Sequence, residues 1–452
     1  MLTCADTLFF RTALLPGGWA RDVRIDIADG VIVGVTEGAT GQTTYGVALP
    51  GMANVHSHAF QRGLAGLAEH RGGSDSFWTW REVMYRFVSR LSPDDMGAIA
   101  ALAYAEMLEA GFTRVGEFHY LHHDPDGRPY SRRAEMAERI VEAADLTGIG
   151  LTLLPVFYEQ GGFDGRPPGS AQRRFCNTVA EFEDLFAHCG ALIGSHKGGI
   201  LGVAPHSLRA VSPASLAALA PLMENRPTHI HIAEQRREVA DCIAWSGKPP
   251  VRWLMDHVAV DARWCFIHAT HTDVEELRAL AASGAVAGLC PISEANLGDG
   301  LFALPVYLAA GGRFGIGTDS HILLSLVEEL RILEYGQRLA RQSRNIVASD
   351  FRTSTGAALY LGALSGGAQA LGVRTGLEAG APADILALAD DDVALASRIG
   401  DAVLDGLIFA STGRPITDVW RAGRKLVSEG RHRDKEAIVN RYRRTLARLL
   451  TD

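Results

Sequence analysis

His56 and His58 stand one residue apart at the end of an apolar run. On an extended strand alternate side chains face the same way, so both imidazoles point together. Two converging imidazoles suit a divalent transition metal. A His-x-His pair alone is common on surfaces and in cores, so recurrence has to decide. Similar apolar runs end at His206, at His231 with Glu234 three residues on, at His268, and at Asp319 after Gly315-Ile316-Gly317-Thr318. His229 shares a face with His231 and periodicity does not choose between them, although His231 lies nearer the C-terminal end of the run. Taken singly, His268 reads as a core histidine bonded to backbone, and Asp319 as the N-cap of a helix beginning near Leu323. Residues of these types at the ends of several different strands are harder to ascribe to chance.

A scaffold must bring those ends together. Residues 51–372 alternate short buried-strand patterns with helical ones. The runs 47–50 into 54–58, 113–118, 151–156, 200–204, 228–230, 264–267, 285–289 and 313–317 make eight strands, with helical runs such as 94–110 and 212–224 between them. That count favours an α/β fold, a (β/α)8 TIM-like barrel rather than an open doubly wound sheet, with the polar strand ends at the mouth where such barrels do their chemistry. The chain ends read differently. Val23, Ile25 and Ile27 alternate with polar residues, Asp29-Gly30 marks a turn, and Val31-Ile32-Val33 resumes the strand. The same texture returns around 383–386 and 419–427. The expected organisation is a small β-sandwich domain built from both ends, residues 1–50 and 373–452, around a barrel at 51–372. From about residue 434, Val439, Tyr442, Leu446 and Leu449 mark a helix docked by one face, with arginines on the other.

The chain has 452 residues, 47% hydrophobic and 21% charged, which is the profile of a globular protein with a large core and not of a disordered one. Its 44 basic and 52 acidic residues leave a formal charge of −8, which argues against nucleic acid as a partner. A small anionic substrate needs only a few local arginines. No run approaches the roughly 18 apolar residues of a membrane span. No basic segment precedes the short N-terminal apolar stretch, and the six cysteines lie far apart. No membrane association, no signal peptide and a cytoplasmic location are therefore expected.

On five segments the chain resembles a known family over its whole length. They are His56-Ser57-His58-Ala59-Phe60-Gln61-Arg62-Gly63, Ser76-Phe77-Trp78-Thr79-Trp80-Arg81, Gly116-Glu117-Phe118-His119-Tyr120, Ala204-Pro205-His206-Ser207-Leu208-Arg209 and His231-Ile232-Ala233-Glu234. The family is the amidohydrolase superfamily, its aminohydrolase branch, and within that the formiminoglutamate deiminases. The resemblance implies that His56, His58, His231 and Asp319 hold one divalent metal ion, zinc. Binuclear relatives bridge two metals with a carboxylated lysine after strand 4; here that end offers His206, and Lys197 precedes the strand. The implied reaction is attack of metal-bound hydroxide on a formimino carbon, giving N-formyl-L-glutamate and ammonia in histidine degradation. Zinc-bound water has a pKa near ~7, so hydroxide is available at neutral pH. Asp319 and His268 would handle the hydroxide and its proton, and Glu234 would carry protons to the leaving nitrogen. His206 and Tyr120 would bind the formimino group, and Gln61, Arg81 and Arg209 the glutamate part. A homodimer is expected on the same ground.

The guanidinium fork matches a carboxylate, so two arginines fit a dicarboxylate. A nucleobase or related amidine, the alternative substrate, would call for amides and stacking. A triazine chlorohydrolase would leave both arginines idle, and a non-catalytic scaffold would have no need of an intact donor set. Arg71-Gly72-Gly73 ahead of Phe77, Trp78 and Trp80 suits a lid over 70–85. Cys290 reads as a buried structural thiol.

Overall fold

The computed structural model describes residues 6–42, 44–70 and 76–451. Four strands open the chain: β1 (Asp6–Leu15), β2 (Gly18–Ala28), β3 (Val31–Thr36) and β4 (Tyr45–Pro50). Nine parallel strands follow: β5 (Met52–Ser57), β6 (Phe112–His119), β7 (Gly150–Phe157), β8 (Ile200–Leu201), β9 (Ala204–Pro205), β10 (Thr228–Ile232), β11 (Trp264–His268), β12 (Val286–Leu289) and β13 (Arg313–Ile316). The chain then returns through β14 (Ile385–Leu388), β15 (Ile416–Arg421), β16 (Arg424–Ser428) and β17 (Arg431–His432).

The parallel strands run in the order β10-β11-β12-β13-β5-β6-β7-β8, with β9 on β7. The ring closes on β10. Val203 bridges Thr228, the His229 amide donates to Val203 O at 3.1 Å, and the His231 amide donates to His206 O at 3.0 Å. The result is a TIM-like barrel. Strands β5, β6, β7, β10, β11 and β12 are buried from end to end, which is why they read as continuous apolar runs.

Two strand expectations need correction. The run 200–204 is not one strand, because it must leave β7 and reach β10. A Cβ at Gly202 would lie 2.5 Å from Leu154 Cδ2 and 2.6 Å from Pro227 O, so only glycine passes between them. The run 47–58 is not one strand either. β4 pairs with β1 and β14 in the other sheet, and β5 starts the barrel at Met52.

That other sheet, in the order β17-β16-β15-β14-β4-β1-β2-β3, is made by both chain ends. It bends back on itself: Val31 bridges Pro382, and the Ile32 amide donates to Ala381 O at 2.9 Å. Phe10, Val23, Ile25, Ile32, Ile385 and Trp420 share its core.

The helix Pro93–Glu109 is buried along most of its length and begins at a reciprocal cap between Ser92 and Asp95. The C-terminal helix Lys435–Leu450 packs on it through a face that buries Ile438 and Leu449. The helix expected over 212–224 is two short ones, Pro213–Ala218 and Ala220–Met223, with Pro221 at the break. Of the segment expected as a lid, Arg71-Gly72-Gly73 lie outside the described residues, and Phe77–Val88 is a helix. No helix among the described residues is long and apolar enough to cross a membrane.

The helix Thr355–Ala370 packs so closely on β13 that a Cβ on Gly366 would sit 1.9 Å from the Phe314 carbonyl oxygen. Gly366→Ala is expected to lower stability by about 1–3 kcal/mol through overpacking, although alanine is the better helix former. A chemical-denaturation curve superimposable on that of the wild type would refute this packing.

Candidate active site

β5 carries His56 and leads into His58, β10 carries His231, and the turn after β13 carries Asp319; all four are buried. His56 Nε2 lies 3.2 Å from His58 Nε2 and 3.0 Å from His231 Nε2. Asp319 Oδ1 lies 3.4 Å from His56 Nε2 and 3.3 Å from His58 Nε2. One donor atom from each of the four falls within 4.8 Å of all the others. Backbone bonds stitch the two strand ends together: the Asp319 amide donates to His56 O at 3.0 Å, and the His58 amide to Asp319 O at 3.1 Å. Asp319 sits at φ 42°, in the left-handed region that non-glycine residues enter rarely, as do Ala233 at 51° and His268 at 68°. The next helix is capped by Ser325, so Asp319 is not a capping residue.

His58 Nδ1 donates to Phe118 O at 3.0 Å, which leaves the lone pair of Nε2 facing the cluster. Burial, reinforced by neighbouring imidazoles, holds His56 and His231 below the usual histidine range, and burial lowers His58 as well. Burial alone would raise Asp319, but its hydrogen bond to His56 and the nearby His58 keep its carboxyl below the usual range. Three imidazole nitrogens and a carboxylate thus converge in a dry place, the donor set that suits a divalent cation. Ligands about 2.0–2.1 Å from a tetrahedral zinc stand roughly 3.3 Å apart. The contacts of 3.0–3.4 Å fit that spacing, so the residues present fit a divalent metal ion. His229 is not part of the cluster; its Nε2 bonds to Ala370 O at 2.9 Å.

His268 is not bonded to backbone through its ring as a plain core histidine would be. Its Nδ1 lies 3.2 Å from Glu294 Oε1, and its Nε2 lies 4.0 Å from Glu234 Oε1. Burial opposes charge on this ring, but the Glu294 hydrogen bond and the Glu234 and Asp319 carboxylates outweigh it and raise His268 to about 10. Glu238 accepts the amides of Ala233 at 3.2 Å and Glu234 at 3.1 Å, which fixes the turn that presents Glu234. Glu234 itself lies 3.6 Å from Arg209 Nη2. Burial pushes its carboxyl up against the pull of His268 and Arg209.

Gln61, Arg81, Tyr120, His206 and Arg209 all line one cleft of about 540 Å³, together with His58, His231, Glu234, His268 and Asp319; His56 lies fully buried beside them. Gln61 Nε2 donates to the Tyr120 hydroxyl at 2.9 Å, while Gln61 Oε1 has no partner. Arg81 is turned inward by its helix. It donates to the Tyr158 hydroxyl at 3.1 Å and lies against the rings of Trp78 and Tyr85. Arg209 Nε is buried without a hydrogen-bond partner. Sequence reasoning missed Tyr85, Tyr158, Glu238 and Asp299; it places Ser293-Glu294-Ala295-Asn296 near the site after the seventh strand but gives Glu294 no role. Tyr158 follows a strand end and Tyr85 lies one helical turn beyond Arg81, so both carry a positional signal. Cys290 packs with Val55, Cys265 and Ile267, and burial pushes its thiol far up, as befits a structural cysteine.

A family model described as the amidohydrolase family matches residues 47–426. The chain belongs to the amidohydrolase family. A second model, described as the N-terminal domain of formimidoylglutamate deiminase HutF, matches residues 6–44. The chain is 52% identical over 449 residues to a Pseudomonas aeruginosa protein named formimidoylglutamate deiminase, covering 98% of this chain and 99% of that one. A crystal structure of an amidohydrolase from Brucella melitensis superposes with a TM-score of 0.95 at 52% identity, covering 99% of this chain and 100% of that chain. A Natronomonas pharaonis protein named 5-methylthioadenosine/S-adenosylhomocysteine deaminase is 27% identical over 441 residues, 95% of this chain and 94% of that one.

Asp299 completes the acidic side of the site. Gln235 Nε2 donates to its Oδ1, and its buried Oδ2 has no partner. Burial, with the Glu234 carboxylate beside it, pushes Asp299 from 3.8 up to about 9. Between those values the folded protein holds a proton that the unfolded chain has lost, so stability falls as pH rises, by at most about 1.4 kcal/mol per pH unit. Asp299→Asn keeps the acceptor for Gln235 and removes the titration. It is expected to melt above the wild type at pH 8, with the gap narrowing towards pH 5. Parallel melting profiles would refute a neutral Asp299.

Proposed function

We propose that this enzyme hydrolyses N-formimino-L-glutamate to N-formyl-L-glutamate and ammonia in the cytoplasmic degradation of histidine. The observation that carries the reading is that Arg81 and Arg209 line the same cleft as the four-donor cluster. A dicarboxylate with a reactive amidine at its other end matches that division of the cleft. The deiminase named in Pseudomonas aeruginosa supports it at 52% identity along nearly the whole chain. A nucleoside, the alternative substrate, offers neither arginine a carboxylate.

His56, His58, His231 and Asp319 would hold one zinc ion. When bound, the ion supplies Lewis-acid activation of a water at neutral pH. Arg81, Arg209 and the Gln61 amide hold the glutamate carboxylates. Tyr120 and His206 face the formimino group. As the water's oxygen bonds to the formimino carbon, its proton passes to the free oxygen of Asp319. The charged ring of His268, held by Glu294, stands beside the developing tetrahedral carbon. Glu234 carries that proton, and then the hydroxyl proton of the tetrahedral carbon, to the terminal nitrogen, so that this C–N bond breaks as the formyl C=O forms and ammonia leaves rather than the amide. An acid–base group so placed contributes about 10²–10⁴ in rate.

Ammonia release from N-formimino-L-glutamate, run beside guanine, cytosine and adenosine, tests the reading. Release from a nucleobase or nucleoside and not from the formimino acid would overturn it. Glu234→Gln is expected to keep its metal and lose about 10²–10⁴ in turnover. Near-normal turnover would remove Glu234 from proton transfer. Arg209→Met is expected to raise KM well above its effect on kcat, and an unchanged KM would refute its contact with a carboxylate.

A further inference from the structure

Beneath the donor cluster a buried chain of polar groups links β5, β6 and the turn after β13. Asn54 Oδ1 accepts the amides of His56 at 3.3 Å and Thr318 at 3.2 Å, which makes Asn54 Nδ2 the donor to Thr318 Oγ1 at 2.7 Å. Thr318 Oγ1 pairs with His321 Nδ1 at 2.9 Å. The other ring nitrogen, His321 Nε2, pairs with Ser57 Oγ at 3.0 Å. Ser57 in turn donates to Glu117 Oε2 at 2.5 Å. The other oxygen, Glu117 Oε1, accepts the Ala59 amide at 2.8 Å.

Burial pushes the Glu117 carboxyl up to about 7, while the bonds from Ser57 and Ala59 pull it down, as donors to a carboxylate do. A carboxylate accepts both, whereas an amide accepts one and presents N–H to the other. The two arms come from the residues on either side of His58, and the next residue in β6, Phe118, takes the His58 Nδ1 proton. Two consecutive residues of β6 therefore hold three consecutive residues of the His-x-His turn. We propose that Glu117 is a positioning residue for the metal ligands: it clamps Ser57 and Ala59, and through the chain to His321 and Thr318 it locks the His56–His58 turn against Asp319. The clamp sets the donors in place before the ion arrives. This inference rests on the reading that the four donors hold a divalent ion.

The test is zinc affinity, by competition with a chromogenic chelator, together with melting temperature of the metal-free and zinc-loaded forms. Partners that orient metal ligands are worth about 10–100-fold in affinity. Glu117→Gln is expected to lose affinity in that range, and the gain in melting temperature on zinc loading is expected to shrink with it. A purely structural role would lower both melting temperatures equally and leave affinity alone. Ser57→Ala, which removes one arm and no charge, is expected to lose a smaller part of the affinity, and it decides the matter if Glu117→Gln does not fold. Wild-type affinity in the variants that fold overturns the inference. A wild type that binds no zinc would instead overturn the metal reading on which the inference stands.

Discussion

Four polar side chains are forced together out of water at the centre of this molecule: three imidazole nitrogens and a carboxylate oxygen lie within 4.8 Å of one another. Such a cluster gives up hydration that its few internal contacts do not return in full, so the fold has to hold the donors together. Strand ends are the right place for this, because the barrel ladder fixes each backbone on both sides. Left-handed backbone at Asp319, and at Ala233 beside β10, turns the chain at the mouth where an ordinary turn would swing the side chains apart. The Phe118 carbonyl does the finer work by setting the tautomer of His58.

The cleft divides by charge. On one side lie Glu234, Glu238, Glu294 and Asp299, with His268 among them. On the other lie Arg81 and the hydroxyls of Tyr85 and Tyr158. Arg209 stands between, 3.6 Å from Glu234 and 3.9 Å from Glu238. Burial and the carboxylates beside them raise both Glu234 and Asp299. On the function proposed above, a carboxyl raised in this way suits proton transfer to a leaving nitrogen. The same crowding would destabilise the fold if each charge lacked its backbone amide or its cation.

Strand ends were the legible part of this sequence, because a buried parallel strand is a short apolar run and its last residue is where polarity returns. His56, His58, His231, His268 and Asp319 each break such a run. Boundaries were less legible where one apolar run serves two sheets: only Pro50-Gly51 marks the passage from β4 to β5. The fourth strand misled for the opposite reason, since the pattern of 200–204 is continuous while its pairing changes partner at Gly202. The segment of Glu294 was legible as lying near the site, but its role was not, and Asp299 was illegible altogether, because they reach the site from a helix and a loop after β12 and no spacing relates them to His268. Glu238 could have been suspected, as a carboxylate four residues past a strand-end glutamate can fold back on its amide.

Arg81 differs in kind from the cleft residues at the strand ends. It comes from a helix outside the ladder, capped by Ser76 at its start and packed on the core through Met84, Phe87 and Val88. The donor cluster, by contrast, is built into the barrel itself. On the function proposed above, substrate selection rests partly on this covering helix, whereas activation of water rests on the barrel. Such a division lets a barrel keep its donor set while the covering segment is exchanged. At 27% identity, the protein named as a nucleoside deaminase matches this chain along almost its full length. On the function proposed above, the helix Phe77–Val88 and the turn after β9 are where the two must part, since a nucleoside needs stacking faces and a dicarboxylate needs paired cations.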